Sequence, residues 1–187
     1  MEIKDILKET EEQMSKSFDF SKAQIEKIRT GGASATLVDG IEVVAYGTNT
    51  PLNQVAGIST PDARTIMIQP YDTSLLSDIE RAILTADLGF NPQNDGNVLR
   101  IPVPPLTEER RMEYVKVCKN YAEEGRIAIR NARRSAIESL RAAEKEKEIS
   151  EDMQKDGESG AQELTDKYIA MIDSVYATKE KELIGKD

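Results

Sequence analysis

Arg126-Ile127-Ala128-Ile129-Arg130-Asn131-Ala132-Arg133-Arg134, continuing to Arg141, decides how this chain is organised. At about 100° per residue, Arg126, Arg130, Arg133, Arg134 and Arg141 fall within roughly 100° of arc on one side of a helix. Ala122, Gly125, Ile129, Ala132, Ala136 and Leu140 form a second stripe, centred roughly 110° away. One helix therefore carries a packing face and a basic face. The ordinary reading of such a basic face is a solvated outer surface. Against that reading stands the acidity of the whole chain, whose net charge is −9.

Working outward, the apolar stripe extends back through Val115 and Cys118 and forward to Ala143, so the helix is expected over 107–147 with Thr107 as its N-cap. About 40 residues at 1.5 Å each make a rod of roughly 60 Å. A second long helix is expected over 2–29, with Ile3, Leu7, Met14, Phe18, Ile25 and Ile28 as its stripe and Ser21 filling one register position. A third begins after Ile149-Ser150-Glu151-Asp152 and carries Met153, Leu164, Tyr168, Met171 and Val175. Gly157 and Gly160, each about 1 kcal/mol worse than Ala in a helix, predict some disorder near Asp156–Gly160. The first helix finds no partner until the other two arrive. A long antiparallel three-helix bundle, 1–30 with 106–187, is thus expected to hold an insertion over 31–105.

The insertion has a different character. Gly40–Tyr46 and Arg64–Gln69 are β-branched runs, Pro51–Ser59 allows one or two short strands, and Val98–Ile101 follows the turn signal Asn94-Asp95-Gly96-Asn97. Ser74–Asp87 reads as a helix with Ser74 as N-cap, and Pro102-Val103-Pro104-Pro105 closes the module. The fold class is α+β, with a small β/α/β module in the bundle. Thr30, Gly31 and Gly32 on one crossing, and Pro104 and Pro105 on the other, predict a directed hinge.

Composition excludes much. There is no histidine, and the single cysteine, Cys118, sits on the apolar stripe, where a buried structural thiol is expected. Gly31-Gly32 follows a helix and lacks the Lys-Ser/Thr of a phosphate loop. Glu11-Glu12, Glu108-Glu109 and Glu123-Glu124 read as solvated helix surface, and no metal-ligand cluster is visible. The chain is read as no enzyme and as needing no cofactor. No apolar run approaches the ~20 residues of a membrane span, so a cytoplasmic protein without a membrane partner is expected.

Two function classes then remain. In one the arginines grip a structured RNA; in the other a coiled-coil-like adaptor or chaperone pairs them with a partner's acids. Residues 126–141 hold five Arg, no Lys and one acid, Glu138. The planar guanidinium fork suits phosphate, which tilts the choice toward RNA.

The runs Arg29-Thr30-Gly31, Asp39-Gly40-Ile41-Glu42-Val43, Tyr46-Gly47-Thr48, Thr50-Pro51-Leu52-Asn53-Gln54-Val55-Ala56, Asn94-Asp95-Gly96-Asn97, Pro104-Pro105-Leu106-Thr107-Glu108-Glu109-Arg110-Arg111, Ala128-Ile129-Arg130-Asn131, Arg133-Arg134 and Leu164-Thr165-Asp166-Lys167-Tyr168-Ile169 together carry a resemblance. In this order along nearly the whole chain, they resemble the bacterial ribosome recycling factors. The resemblance implies an L-shaped, monomeric molecule with the outline of a transfer RNA, bound to the post-termination ribosome. With elongation factor G and GTP, such a factor splits the ribosome into subunits and itself hydrolyses nothing. It also implies that Arg130, Arg133 and Arg134, with Arg29, touch large-subunit ribosomal RNA, Arg133 foremost; Arg126 joins them by periodicity. Arg110 and Arg111 match the family but lie beside the junction. Two departures stand out: Gly32 replaces a usual basic residue, and Lys155–Ala161 is richer in glycine than the family's helix.

Overall fold

Three long helices form one of two compact units in the computed structural model, which describes residues 2–185. They are α1 (Ile3–Glu26), α4 (Glu108–Lys145) and α5 (Glu151–Ile184); the short α2 and α3 belong to the second unit, Gly31–Leu106. A Cβ on Gly125 of α4 would meet Ser21 of α1. Ile6 near the start of α1 shares a core cluster with Ala136 and Leu140 late in α4. These two helices therefore run antiparallel. Leu140 packs on Gly157, and Arg126 bonds Asp173, so α5 is antiparallel to α4 and parallel to α1.

Their seam is dry. Met14, Phe18, Ile25, Cys118, Ile129, Leu140 and Ile172 are buried, each large aliphatic contributing about 1.5–3 kcal/mol. The Phe18 and Tyr168 rings add a tilted contact at 6.4 Å between centroids. Ser21, a gap in the expected stripe, lies in the seam because it faces Gly125, where only a small side chain fits. Burial pushes the Cys118 thiol above its ordinary pKa, with nearby Lys179 opposing it, as suits a structural cysteine.

The third helix corrects two expectations. It is unbroken across Asp156–Gly160. A Cβ at Gly157 would come within 2.7 Å of a methyl of the fully buried Leu140, and one at Gly160 would meet the movable end of Leu7 at 2.9 Å. Close packing supplies what intrinsic propensity lacks. The seam register also differs: Gly157, Ala161, Thr165, Tyr168, Ile172, Lys179 and Leu183 are buried, whereas Met153 is exposed. Polar members hid this seam from periodicity, and each is satisfied internally. The Thr165 hydroxyl donates to the Ala161 carbonyl at 2.8 Å, and Lys179 Nζ donates to the Glu26 carbonyl at 3.2 Å near the C-terminus of α1. Ser150 caps α5 by accepting the Met153 N–H at 3.1 Å, and Thr107 caps α4 by accepting from Arg110.

The second unit holds a hairpin of β1 (Glu42–Ala45) and β2 (Thr48–Pro51), and an antiparallel sheet ordered β3-β4-β6-β5. Those strands are β3 (Ala56–Asp62), β4 (Thr65–Pro70), β5 (Gln93–Asn94) and β6 (Leu99–Pro102). Tyr46 and Gly47 turn the hairpin with φ of 52° and 80°, the pair of left-handed residues a tight hairpin requires. The single-turn α2 (Leu52–Val55) breaks what the sequence left open as one or two short strands. α3 (Leu76–Thr85) packs on β1, and its Leu76, Ile79 and Ile83 share one core with Val43, Ile66, Ile68, Leu99 and Ile101. The expected cap Ser74 is replaced by Asp72, which accepts the Ser74 N–H at 2.9 Å and so opens a 3-10 turn, Thr73–Leu75, ahead of α3. Tyr46 donates its hydroxyl to the same carboxylate, which holds Asp72 below the usual carboxylate range.

The chain joins this unit at two neighbouring points. Ala33 N–H donates to the Ala63 carbonyl at 2.8 Å, and Val103 N–H donates to the Arg64 carbonyl at 2.7 Å. Both ends of the inserted segment are thus fastened to consecutive peptides of the β3–β4 turn. Just outside the first fastening, Gly31 has φ of 105°, a conformation glycine adopts freely.

Candidate nucleic-acid interface

The basic face of α4 is where the sequence places it, because Ile129, Ala132, Ala136 and Leu140 turn into the seam and rotate the arginines outward. What periodicity could not foresee is how α5 treats each of them. Arg126 is only 20% exposed and is closed off: Nε and Nη2 reach Asp173 Oδ1 at 2.8 and 2.7 Å, and Nη1 reaches Glu123 Oε2 at 3.1 Å. Burial alone would lower its pKa, but the hydrogen bonds to Asp173 and Glu123 outweigh burial and hold it above the ordinary value. Arg130, 40% exposed, has a looser pair with Glu123 at 3.5 Å. Arg141 Nε meets Glu158 at 3.2 Å.

Arg133 and Arg134 differ from the rest. Arg133 Nη1 donates to the neutral Gln162 Oε1 at 3.1 Å, and Arg134 Nη1 lies 3.4 Å from the neutral Asn131 Oδ1. Among the described residues, neither has a carboxylate within ion-pair distance. The Nε of Arg133 is buried without a hydrogen-bond partner, so its stem lies against the helices and only its fork faces outward. The acids therefore sort the stripe: Arg126 and Arg141 are neutralised locally, Arg130 partly, and Arg133 and Arg134 keep uncompensated charge. Two such forks, adjacent on one helix, suit bidentate contact with phosphate oxygens.

The other candidates lie elsewhere. Arg29 is half-buried just past the end of α1. Arg111 donates from Nη1 to the Leu183 carbonyl at 2.9 Å and caps α5, a structural task, while Arg110 pairs with Glu113 on its own helix. Glu123, read as solvated surface, remains at the surface but binds two arginines; its i,i+3 spacing to Arg126 was the visible signal. Gln162, Asp166, Asp173 and Glu158 carried no signal, since the register between two helices is not written in either alone. Among the described residues no group of three or more His, Cys, Asp or Glu gathers as a metal site, and no helix is long and apolar enough to cross a membrane.

Comparison with known proteins agrees with this architecture. The family model described as ribosome recycling factor matches residues 21–184. Ribosome-recycling factors of Nitratidesulfovibrio vulgaris and Marinomonas sp. are similar over nearly the whole chain. The first is 48% identical, covering 98% of this chain and 99% of that protein; the second is 50% identical, covering 97% and 98%. A solution structure of the ribosome recycling factor aligns over 100% of this chain and 99% of its own, with TM-score 0.75 and 41% identity. A second, described as models for the T. thermophilus ribosome recycling factor and the E. coli elongation factor G bound to the E. coli post-termination complex, aligns over 99% and 100% with TM-score 0.62 and 43% identity. Full-length identity of this order, on the same helical unit and small β unit, places the chain in the ribosome recycling factor family.

Proposed function

We propose that this chain is a cytoplasmic translation factor that recycles ribosomes after termination. It binds the post-termination ribosome and, with elongation factor G and GTP, splits it into subunits, as a monomer and without a cofactor. The observation that carries this reading is its end-to-end similarity to a factor placed with elongation factor G on a post-termination complex. Within the chain, Arg133 and Arg134, then Arg130, contact large-subunit ribosomal RNA, because on the basic face of α4 the first two meet only neutral partners and Arg130 has only a loose pair with Glu123. Arg29 is a further contact, and Arg126 ranks last because Asp173 and Glu123 hold it. The helical and β units act as separate domains. Thr30, Gly31 and Gly32 with Pro104 and Pro105 form the hinge between them, since these residues lie outside the bonds that fasten Ala33 and Val103.

The test is a subunit-splitting assay on post-termination ribosomes, followed by light scattering. The chain with elongation factor G and GTP is expected to dissociate subunits well beyond either factor alone; splitting no faster than with elongation factor G alone refutes the function. For the contact, Arg133→Ala is expected to lose about 1–3 kcal/mol of ribosome affinity with an unchanged circular dichroism melt. Parental affinity with an unchanged melt would refute the contact, and a lost fold would make Arg133 structural instead.

A further inference from the structure

We infer that Gln162 is the residue that positions Arg133 for RNA without neutralising it. The inference rests on α4 being the ribosomal-RNA contact. On α5, Glu158, Gln162, Asp166 and Asp173 fall within about 80° of arc, a row beside the basic face of α4. Three members of that row are carboxylates. Glu158 takes Arg141 and Asp173 takes Arg126. Opposite Arg133 the row holds its one amide, so the arginine predicted to matter most meets a neutral partner.

The amide is itself held in place. Gln162 Nε2 donates to Asp166 Oδ1 at 2.9 Å, while Gln162 Oε1 accepts from Arg133 Nη1 at 3.1 Å. A carboxylate only accepts and a guanidinium only donates, so this orientation of the amide is dictated by its neighbours. The result is a relay, Asp166 to Gln162 to Arg133, that fixes one nitrogen of the fork. Asp166 orients Arg133 through the amide, and the ion pair it would form directly is avoided. A carboxylate at 162 would instead bind the guanidinium as Asp173 binds Arg126. RNA would then have to break an ion pair before any phosphate could replace it.

The test measures affinity for post-termination ribosomes between about 50 and 200 mM salt for four variants, each checked by thermal melting. Gln162→Glu is expected to bind about 3- to 10-fold more weakly, with the log–log salt slope reduced by about 0.7 to 0.9, the loss of one phosphate contact. Gln162→Leu, neutral but unable to hold the fork, is expected to keep the parental slope and lose about 2- to 5-fold, the scale of one neutral hydrogen bond. In an Arg133→Ala background, Gln162→Glu is expected to add nothing, because its effect passes through the arginine. A parental slope for Gln162→Glu, a parental affinity for Gln162→Leu, or a Gln162→Glu loss undiminished by Arg133→Ala overturns the inference. Arg133→Ala alone at parental affinity and slope refutes the RNA-contact reading itself, a different failure.

Discussion

Gly125→Ala places a methyl on α4 against Ser21 of α1 and Ile172 of α5, and two effects of opposite sign compete. Alanine favours the helix by about 1 kcal/mol over glycine. The new Cβ, however, would stand 2.4 Å from Ser21 Oγ, 3.1 Å from Ser21 Cβ and 2.9 Å from Ile172 Cδ1. The hydroxyl and the isoleucine tip can rotate, but Ser21 Cβ moves only with its helix, so α1 must withdraw. Overpacking of this kind costs about 1–3 kcal/mol, and a backbone-anchored clash belongs in the upper half of that range. The net expectation is destabilisation by about 1–2 kcal/mol, or about 2–8 °C in melting temperature for a protein of this size. Gly160→Ala has the same propensity gain, but its clash is with the end of the partly exposed Leu7 at 2.9 Å, which can swing aside. That variant is expected to be neutral or more stable by up to about 1 kcal/mol. Melts followed at 222 nm compare both. Gly125→Ala melting at or above the parent would show that close helix approach is not why glycine is there.

Further outcomes follow from other contacts. Arg126→Ala is expected to lose about 1 kcal/mol of stability through its half-buried pair with Asp173 while ribosome affinity stays near parental; an affinity loss matching that of Arg133→Ala would contradict the sorting of the stripe by acids. Gly31→Pro with Gly32→Pro, imposed where Gly31 has φ of 105°, is expected to keep ribosome binding and lose subunit splitting, and undiminished splitting would remove the need for a hinge. Tyr176 donates its hydroxyl to Glu180, which pushes its pKa from 10.0 up to about 12. A raised folded-state value means its contribution to stability is fully present below pH 10 and is lost as pH rises toward 12. Tyr176→Phe should flatten that alkaline decline in urea titrations, and an unchanged slope would show that the hydrogen bond does not persist in solution.

The helical unit was legible because α1 and α4 repeat apolar residues at three and four, and the turn signal Asn94-Asp95-Gly96-Asn97 stood ahead of the β-branched run that forms β6, whereas β2 at Thr48–Pro51, short and polar, was not read. α5 was not, since Gly157, Thr165 and Lys179 serve its seam while the oily Met153 does not. Burial there is set by two neighbouring helices and leaves only a faint trace in local pattern. The same limit holds at the candidate interface. Five arginines on one face could be read from spacing, but their ranking depends on Asp173, Gln162 and Glu158, 47, 29 and 17 residues from their partners.

The fastening of Ala33 and Val103 to consecutive peptides of one turn also bears on how the helices find each other. In an unfolded chain, α1 and α4 are separated by the whole of Gly31–Leu106, and the entropy lost in joining them grows as (3/2)RT ln n with the length of that loop. Once the strands between have paired, the segment from Ala33 to Val103 acts as a closed ring, and only the few residues on either side remain to be spanned. An eightfold shorter effective loop lowers the joining entropy by about 2 kcal/mol. The inserted segment thereby assists bundle assembly simply by bringing its own two ends together first.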